Sequence, residues 1–130
     1  WMKQYADPSG PWIFLGDINI APEAGDIWDP KSWAGVPSFH PLEHALWQEL
    51  LEWGLTDVMK PYLQPGSYSF WDYRMLRFPR NQGMRIDHFL ATSLVEEKML
   101  SAKIHRDWRK KKGALKASDH APVEIVLQPV

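Results

Sequence analysis

The chain contains no cysteine, which excludes a disulfide framework and a thiolate-ligated zinc site and fits a reducing, cytoplasmic setting. No apolar run approaches the roughly 20 residues that a membrane-spanning helix needs. No secretory signal is visible either, so no membrane partner is expected. Net charge is nearly absent, at −1. Internal repeats are missing, and so is any linker that would divide the chain. Its 130 residues therefore read as one domain, long enough to bury a core. The first residue is Trp1 rather than Met, and the expectation is that the sequence is a piece of something longer.

What is present argues for a folded globular protein: 45% of residues are apolar and eight are Trp. The small net charge hides an asymmetry. Residues 1–60 carry three Lys/Arg against nine Asp/Glu, whereas residues 61–130 carry twelve against seven. An acidic, cation-binding portion beside a basic, anion-facing one is the functional reading, and chance clustering of solvated charges the bland one.

Residues 11–15, an apolar run between Pro11 and Gly16, read as a short and fully buried strand. Six Pro and Gly residues between 21 and 41 predict a long irregular loop. Pro41 then suits a first helical turn, Leu42, Leu46, Trp47, Leu50, Leu51 and Trp53 supply an apolar face, and Gly54 is a natural stop. Further strands are expected at 55–58, 67–71, 84–91, 100–108 and 123–127, with a short helix through 93–98 capped by Thr92 or Ser93. Mixed strands with few helices suggest a layered α/β sandwich.

Two polar clusters mark where chemistry would sit. Asp17 and Asn19 follow the first strand at Gly16-Asp17-Ile18-Asn19, and Ser118-Asp119-His120 precedes the last. If those two strands are neighbours, Asp17, Asn19, Asp119 and His120 converge at one sheet edge. Such a set would hold a hard divalent cation and a phosphate, the equipment of a phosphate-ester hydrolase. Asp17 and Asn19, two apart, project to one side of an extended backbone; an Asx turn is the competing explanation. Asp87 lies in an apolar strand where a charge needs a partner. That partner is either His120 or one of Arg85 and Arg74. His88 reads as an ordinary half-buried histidine. Tyr68-Ser69-Phe70-Trp71-Asp72-Tyr73-Arg74 interleaves aromatics with charge, suited to stacking on a base or sugar and equally to a core strand. Arg109 to Lys112 suits a nucleic-acid backbone or a solvated loop. His40-Pro41-Leu42-Glu43-His44 matches the H-x-x-E-H pattern of inverted zinc proteases, but Pro41 makes His40 a helix cap rather than a ligand.

With these residues in view, the chain resembles the carboxy-terminal half of the exodeoxyribonuclease III and abasic-site (AP) endonuclease family, in the endonuclease/exonuclease/phosphatase superfamily. The matching stretches are Gly16 to Pro22, Asp29 to Gly35, Phe70 to Arg74, Asn81 to Asp87 and Ser118 to Val123. They run in order over nearly the whole chain. The resemblance implies half of a four-layer α/β sandwich, a mixed and mainly antiparallel sheet with flanking helices. Residues 1–130 would form the C-terminal part of that domain, with its N-terminal half absent. It implies a magnesium-dependent DNA repair nuclease, with Mn2+ as the alternative ion, that removes nucleotides from 3′ ends of duplex DNA and cuts at abasic sites.

By position, Asp17 would activate the water or share the metal, Asn19 would stabilise the transition state beside that metal, and Asp119 would bind the ion. His120 would contact the scissile phosphate near the metal, with Asp87 orienting it. Phe70, Trp71 and Met84 would line the pocket for a base-less sugar, with Arg74 on the substrate side and Asp29 near a neighbouring phosphate. The implied partners are double-stranded DNA and the missing N-terminal half, and the full-length protein would be a monomer. A superfamily phosphatase or phosphodiesterase acting on lipid or inositol phosphates, and a non-catalytic DNA-binding module, are the rival readings.

Overall fold

The computed structural model describes residues 1–129. Four helices, α1 (Met2–Tyr5), α2 (Pro30–Trp33), α3 (Pro41–Trp53) and α4 (Ser93–Glu96), accompany five strands. The strands are β1 (Ile13–Asp17), β2 (Thr56–Asp57), β3 (Asp87–Ala91), β4 (Met99–Ile104) and β5 (Val123–Leu127). Strand β3 lies between β1 and β2, antiparallel to both, while β4 and β5 make a separate antiparallel pair. None of the described helices is long and apolar enough to cross a membrane.

Helix α3 forms where the apolar spacing and its end signals agree. The His40 ring accepts from the Leu42 N–H at 3.1 Å, and the Glu43 carboxylate accepts from the His40 N–H at 3.1 Å. These reciprocal bonds satisfy donors that a helix start leaves open. Gly54, at φ 123°, ends the helix and donates to the Leu50 and Leu51 carbonyls. Trp47 is buried against Ile20, Leu55 and Leu90, whereas Leu42 and Leu46 stay exposed.

Three sequence expectations change. Strand β1 is not buried: Ile13, Phe14 and Leu15 are 39%, 38% and 59% exposed. It is an edge strand paired only with β3 among the described residues, so nothing covers its second side. The strand foreseen at 67–71 is reduced to rungs, with Phe70 bridging Met84 on one side and His120 on the other. Its N–H groups still find partners, because Ser69 and Phe70 donate to the Met84 carbonyl and Trp71 to that of Asp119. The strand foreseen at 100–108 ends at Ile104 and turns into a 3-10 segment, Arg106–Arg109.

One buried charge cluster joins these pieces. Arg85 is 1% exposed. Its guanidinium donates to Asp26 Oδ1 at 2.7 Å and Asp57 Oδ2 at 2.7 Å, and lies 3.1 Å from His88 Nδ1. His88 is fully buried rather than half-buried, and its Nε2 donates to the Ile20 carbonyl at 2.8 Å. Burial first, and the Arg85 charge second, push its pKa below the ordinary histidine value. That keeps Nδ1 an acceptor for Arg85. Removing the cation leaves two carboxylates buried without their partner. Arg85→Met should therefore lower the unfolding free energy by about 3–5 kcal/mol, read from urea denaturation beside the unmodified chain. A loss under about 1 kcal/mol, the range of exposed pairs, would mean that the cluster is not load-sharing.

Candidate active site

Asp17, the last residue of β1, stands directly opposite Asp87, the first residue of β3. Cross-strand partners face the same side, and two like charges so placed repel. A cation between them relieves that. The His120 ring stands beside both carboxylates: its Nδ1 lies 2.8 Å from Asp87 Oδ2 and its Nε2 3.7 Å from Asp17 Oδ2.

The route by which these residues meet differs from the one the sequence suggested. β1 and β5 are not neighbours; they lie in different sheets. His120 arrives instead along the 68–71 segment, where Trp71 donates to the Asp119 carbonyl at 3.0 Å and Ala121 to that of Ser69 at 2.7 Å. The Phe70 ring packs on His120 with centroids 5.1 Å apart. Ser69, wholly buried, accepts from the backbone N–H of both Ile86 and Asp87 at 3.1 Å. It thereby fixes where β3 begins. Sequence reasoning passed over Ser69, because a serine between two aromatics carries no signal until its neighbours are known.

Asp87 pairs with neither arginine considered for it. Arg85 is taken by Asp26 and Asp57, and Arg74 by Asp72. Asp17, Asp87 and His120 each offer a ligand atom, all within 4.8 Å of one another. It is the one such group of three found among the described residues. Two carboxylates and one imidazole nitrogen suit a hard or borderline divalent ion.

Other candidates stand apart. Asn19 is left-handed, at φ 56°, and its N–H donates to Asp17 Oδ1 at 3.0 Å. The Asx turn is what forms, and the extended backbone assumed for this pair is not there. Asp119 meets the site through its backbone, and its carboxylate lies outside the three-residue group. Asp29 caps α2, accepting from the Ser32 N–H at 3.2 Å, and Ser32's hydrogen bonds lower its pKa. Trp71 has no exposed surface. Its indole N–H goes to Asn81 Oδ1 at 3.1 Å and its ring packs edge-on to Phe78, so it belongs to the core and not to a substrate pocket. The two histidines of the H-x-x-E-H pattern are spent on backbone: His40 caps α3, and His44 Nε2 donates to the Ala21 carbonyl at 2.9 Å.

Phe70 and Met84 do line a cavity, of about 110 Å3, shared with Trp28, Trp33, Arg74 and Arg77. Trp28 and Trp33 were missed. They sit in the loop at 21–41, and the only hint was two indoles in a stretch otherwise rich in Pro and Gly. Gly83 closes the floor, where a Cβ would meet the Phe70 carbonyl at 2.6 Å. The Arg77 guanidinium lies 4.8 Å from the Trp28 ring centroid.

This geometry has relatives. Residues 1–120 match the endonuclease/exonuclease/phosphatase family. The chain belongs to that family. It is 36% identical over 132 aligned residues to exodeoxyribonuclease III of Haemophilus influenzae, covering 95% of this chain and 48% of the relative. Among solved structures, a 3′-5′ exonuclease from Neisseria meningitidis superposes with a TM-score of 0.83 at 34% identity, covering 92% of this chain and 46% of that one. An AP endonuclease from Archaeoglobus fulgidus gives 0.85 at 26% identity, covering 98% and 49%. The fold is accordingly the mixed α/β fold of those nucleases, with antiparallel sheets and helices. The chain spans about half the length of the curated relatives it matches.

At the cavity rim, Arg74 forks onto Asp72 at 2.7 and 3.0 Å and adds its backbone N–H at 2.8 Å. These bonds, the side-chain ones first, hold the Asp72 carboxyl at about 2. A depressed carboxyl pKa stabilises the fold above the unfolded value, and that contribution fades as pH falls toward about 2. Arg74→Gln should move the Asp72 titration, followed by carbon-detected NMR, most of the way back to the ordinary carboxylate range. An unmoved midpoint would show that the backbone bond alone sets it.

Proposed function

We propose that this chain is the carboxy-terminal part of a metal-dependent DNA repair nuclease. Its reaction is water attack on a phosphodiester, 3′-5′ exonucleolytic on duplex ends and endonucleolytic at abasic sites. The observation that carries this reading is the facing pair Asp17 and Asp87 with His120 between them. The relatives support it by name, since one is an exodeoxyribonuclease, one an AP endonuclease, and a third a 3′ phosphatase bound to a DNA hairpin product.

In this mechanism Asp87 accepts the Nδ1–H of His120 and fixes the ring, so that Nε2 points toward Asp17. The 3.7 Å between Nε2 and Asp17 is too long for a good hydrogen bond and leaves a place for an ester oxygen. Asp17 takes the proton of the attacking water as the new O–P bond forms and the P–O bond to the leaving oxygen breaks. Protonated His120 and the Asn19 amide donate to phosphoryl oxygens as negative charge builds there. The carboxylates of Asp17 and Asp87, joined by Asp119 through a side-chain rotation, would hold Mg2+, or Mn2+ in its place. The ion supplies Lewis-acid polarisation of the phosphate. Phe70 and Met84, with Trp28 where Trp71 was expected, receive the base-less sugar.

The missing N-terminal half of the same domain is the proposed partner of β1's open side, where Trp1, Trp12, Ile13 and Phe14 line a further cavity of about 690 Å3. Joined to it, the protein is proposed to act as a monomer in the cytoplasm. Residues 1–130 alone should then be poorly stable and nearly inactive. In a polypeptide that supplies that half, Mg2+ should support cleavage of duplex DNA carrying one abasic site. His120→Asn or Asp87→Asn should each slow single-turnover cleavage about 10²- to 10⁴-fold. Normal turnover by residues 1–130 alone would overturn the need for that half, and an active His120→Asn protein would sink the assignment.

A further inference from the structure

The run of cations at 106–116 divides into two kinds that the sequence does not separate. Its arginines are fasteners. Arg109 is 8% exposed, lies 4.6 Å from the Tyr73 centroid and 5.1 Å from that of Phe78, and donates to the Trp71 carbonyl at 3.2 Å. Arg106 lies 4.1 Å over Phe78 and donates to its carbonyl at 2.9 Å. At the other end, the Tyr73 hydroxyl donates to the Ala117 carbonyl at 2.6 Å. Both ends of the loop are thus pinned to residues 71–78, the stretch that follows Phe70 and carries Arg74 and Arg77.

The lysines between the pins are exposed. Gly113, at φ 59°, turns a short hairpin closed by a bridge between Lys112 and Leu115. Lys110 is neutralised by Asp107 at 2.7 Å. Lys111, Lys112 and Lys116 have no carboxylate partner among the described residues. The Lys112 and Lys116 ammonium groups rest 4.5 Å from the Trp108 centroid and 3.7 Å from that of Tyr73. Each ring steadies a cation without using up its N–H donors.

We propose that Lys111, Lys112 and Lys116 form a second contact for the phosphate backbone of duplex DNA, separate from the phosphate at His120. This rests on the nuclease reading above. Lys116 precedes His120 by four residues, so the two are at most about 14 Å apart along the chain. That is about four nucleotides of B-form rise on one strand. A loop stapled to the cavity-bearing segment and running straight into His120 presents its charges beside the reacting phosphate, which favours DNA over an anionic membrane. Exposed Trp108 and Leu115 make phosphatidylserine vesicles the appropriate rival.

The test is binding of a purified polypeptide that joins this chain to the proposed N-terminal half to a short abasic duplex across a KCl series, without metal. Replacing Lys111, Lys112 and Lys116 together by Gln should reduce the slope of log K against log salt by roughly 2–3, about 0.9 for each phosphate contact. Lys111→Gln alone, which removes no ring or carboxylate contact, should take off about 0.9. Lys3→Gln with Lys98→Gln should leave the slope as it was. An unmodified polypeptide that binds with a steep slope, retained in the triple variant, overturns this proposal and leaves the nuclease reading standing. No duplex binding by the unmodified two-half polypeptide overturns both. Vesicle binding lost in the triple variant, with its DNA slope unchanged, assigns the lysines to a membrane and also overturns it.

Discussion

Arg85 is the constraint on which the rest hangs. One guanidinium with almost no exposure reaches a 3-10 turn at Ala24–Asp26 through Asp26, β2 through Asp57 and β3 through His88. His88 passes the connection on to the Ile20 carbonyl, three residues beyond Asp17. Such a cluster is costly to desolvate and gains its worth from being fully bonded, so it tolerates few alternative arrangements. The consequence for the site is positional. Asp17 stands just before a segment tied to Arg85, and Asp87 is two residues after Arg85 itself. Both carboxylates are therefore set from the same buried point.

The second half of the site is set by a different device. His120 belongs to the connection into β5, and no sheet ladder joins that strand to β3. The 68–71 segment does the joining, pairing with Met84 on one side and with residues 119–121 on the other. A side chain held by two successive backbone bonds, one ring contact and one carboxylate has little freedom left. That freedom is what a hydrolytic site must remove beforehand if the reacting groups are to stand in line.

How legible this was from sequence depended on range. Helix α3 was readable to its ends, because spacing, Pro41 and Gly54 act within a few residues of one another. β5 was equally plain. The burial of β1 was misjudged for the opposite reason: an apolar run reports what a strand would bury, not whether a neighbour exists to cover it. The extended backbone assumed at Asn19 and the pocket position assumed for Trp71 failed on geometry of the same kind. Asn19 turned left-handed to feed its N–H to Asp17, and Trp71 pointed inward while Phe70 beside it pointed to the site, as alternation along an extended segment requires. The grouping of Asp17, Asp87 and His120 was foreseeable from residue types and the resemblance. The path that assembles it was not, since it runs through Ser69 and a pair of isolated bridges.

The open side of β1 bears directly on chemistry. Asp17 is the terminal residue of that strand, and its position is only as firm as the strand's pairing. With β3 on one side and solvent on the other, half of the strand's hydrogen-bonding capacity goes to water, and the apolar side chains of Ile13, Phe14 and Leu15 gain little from being ordered. Local opening should therefore be cheapest here, at the strand that carries the proposed base, while Asp87 and His120 remain held by the interior. A second sheet edge seated on β1 would remove that weakness and bury the apolar face in one step. If the proposed N-terminal half supplies that edge, completion of the fold and of the active site are the same event, and Asp17 becomes rigid only when β1 has two neighbours.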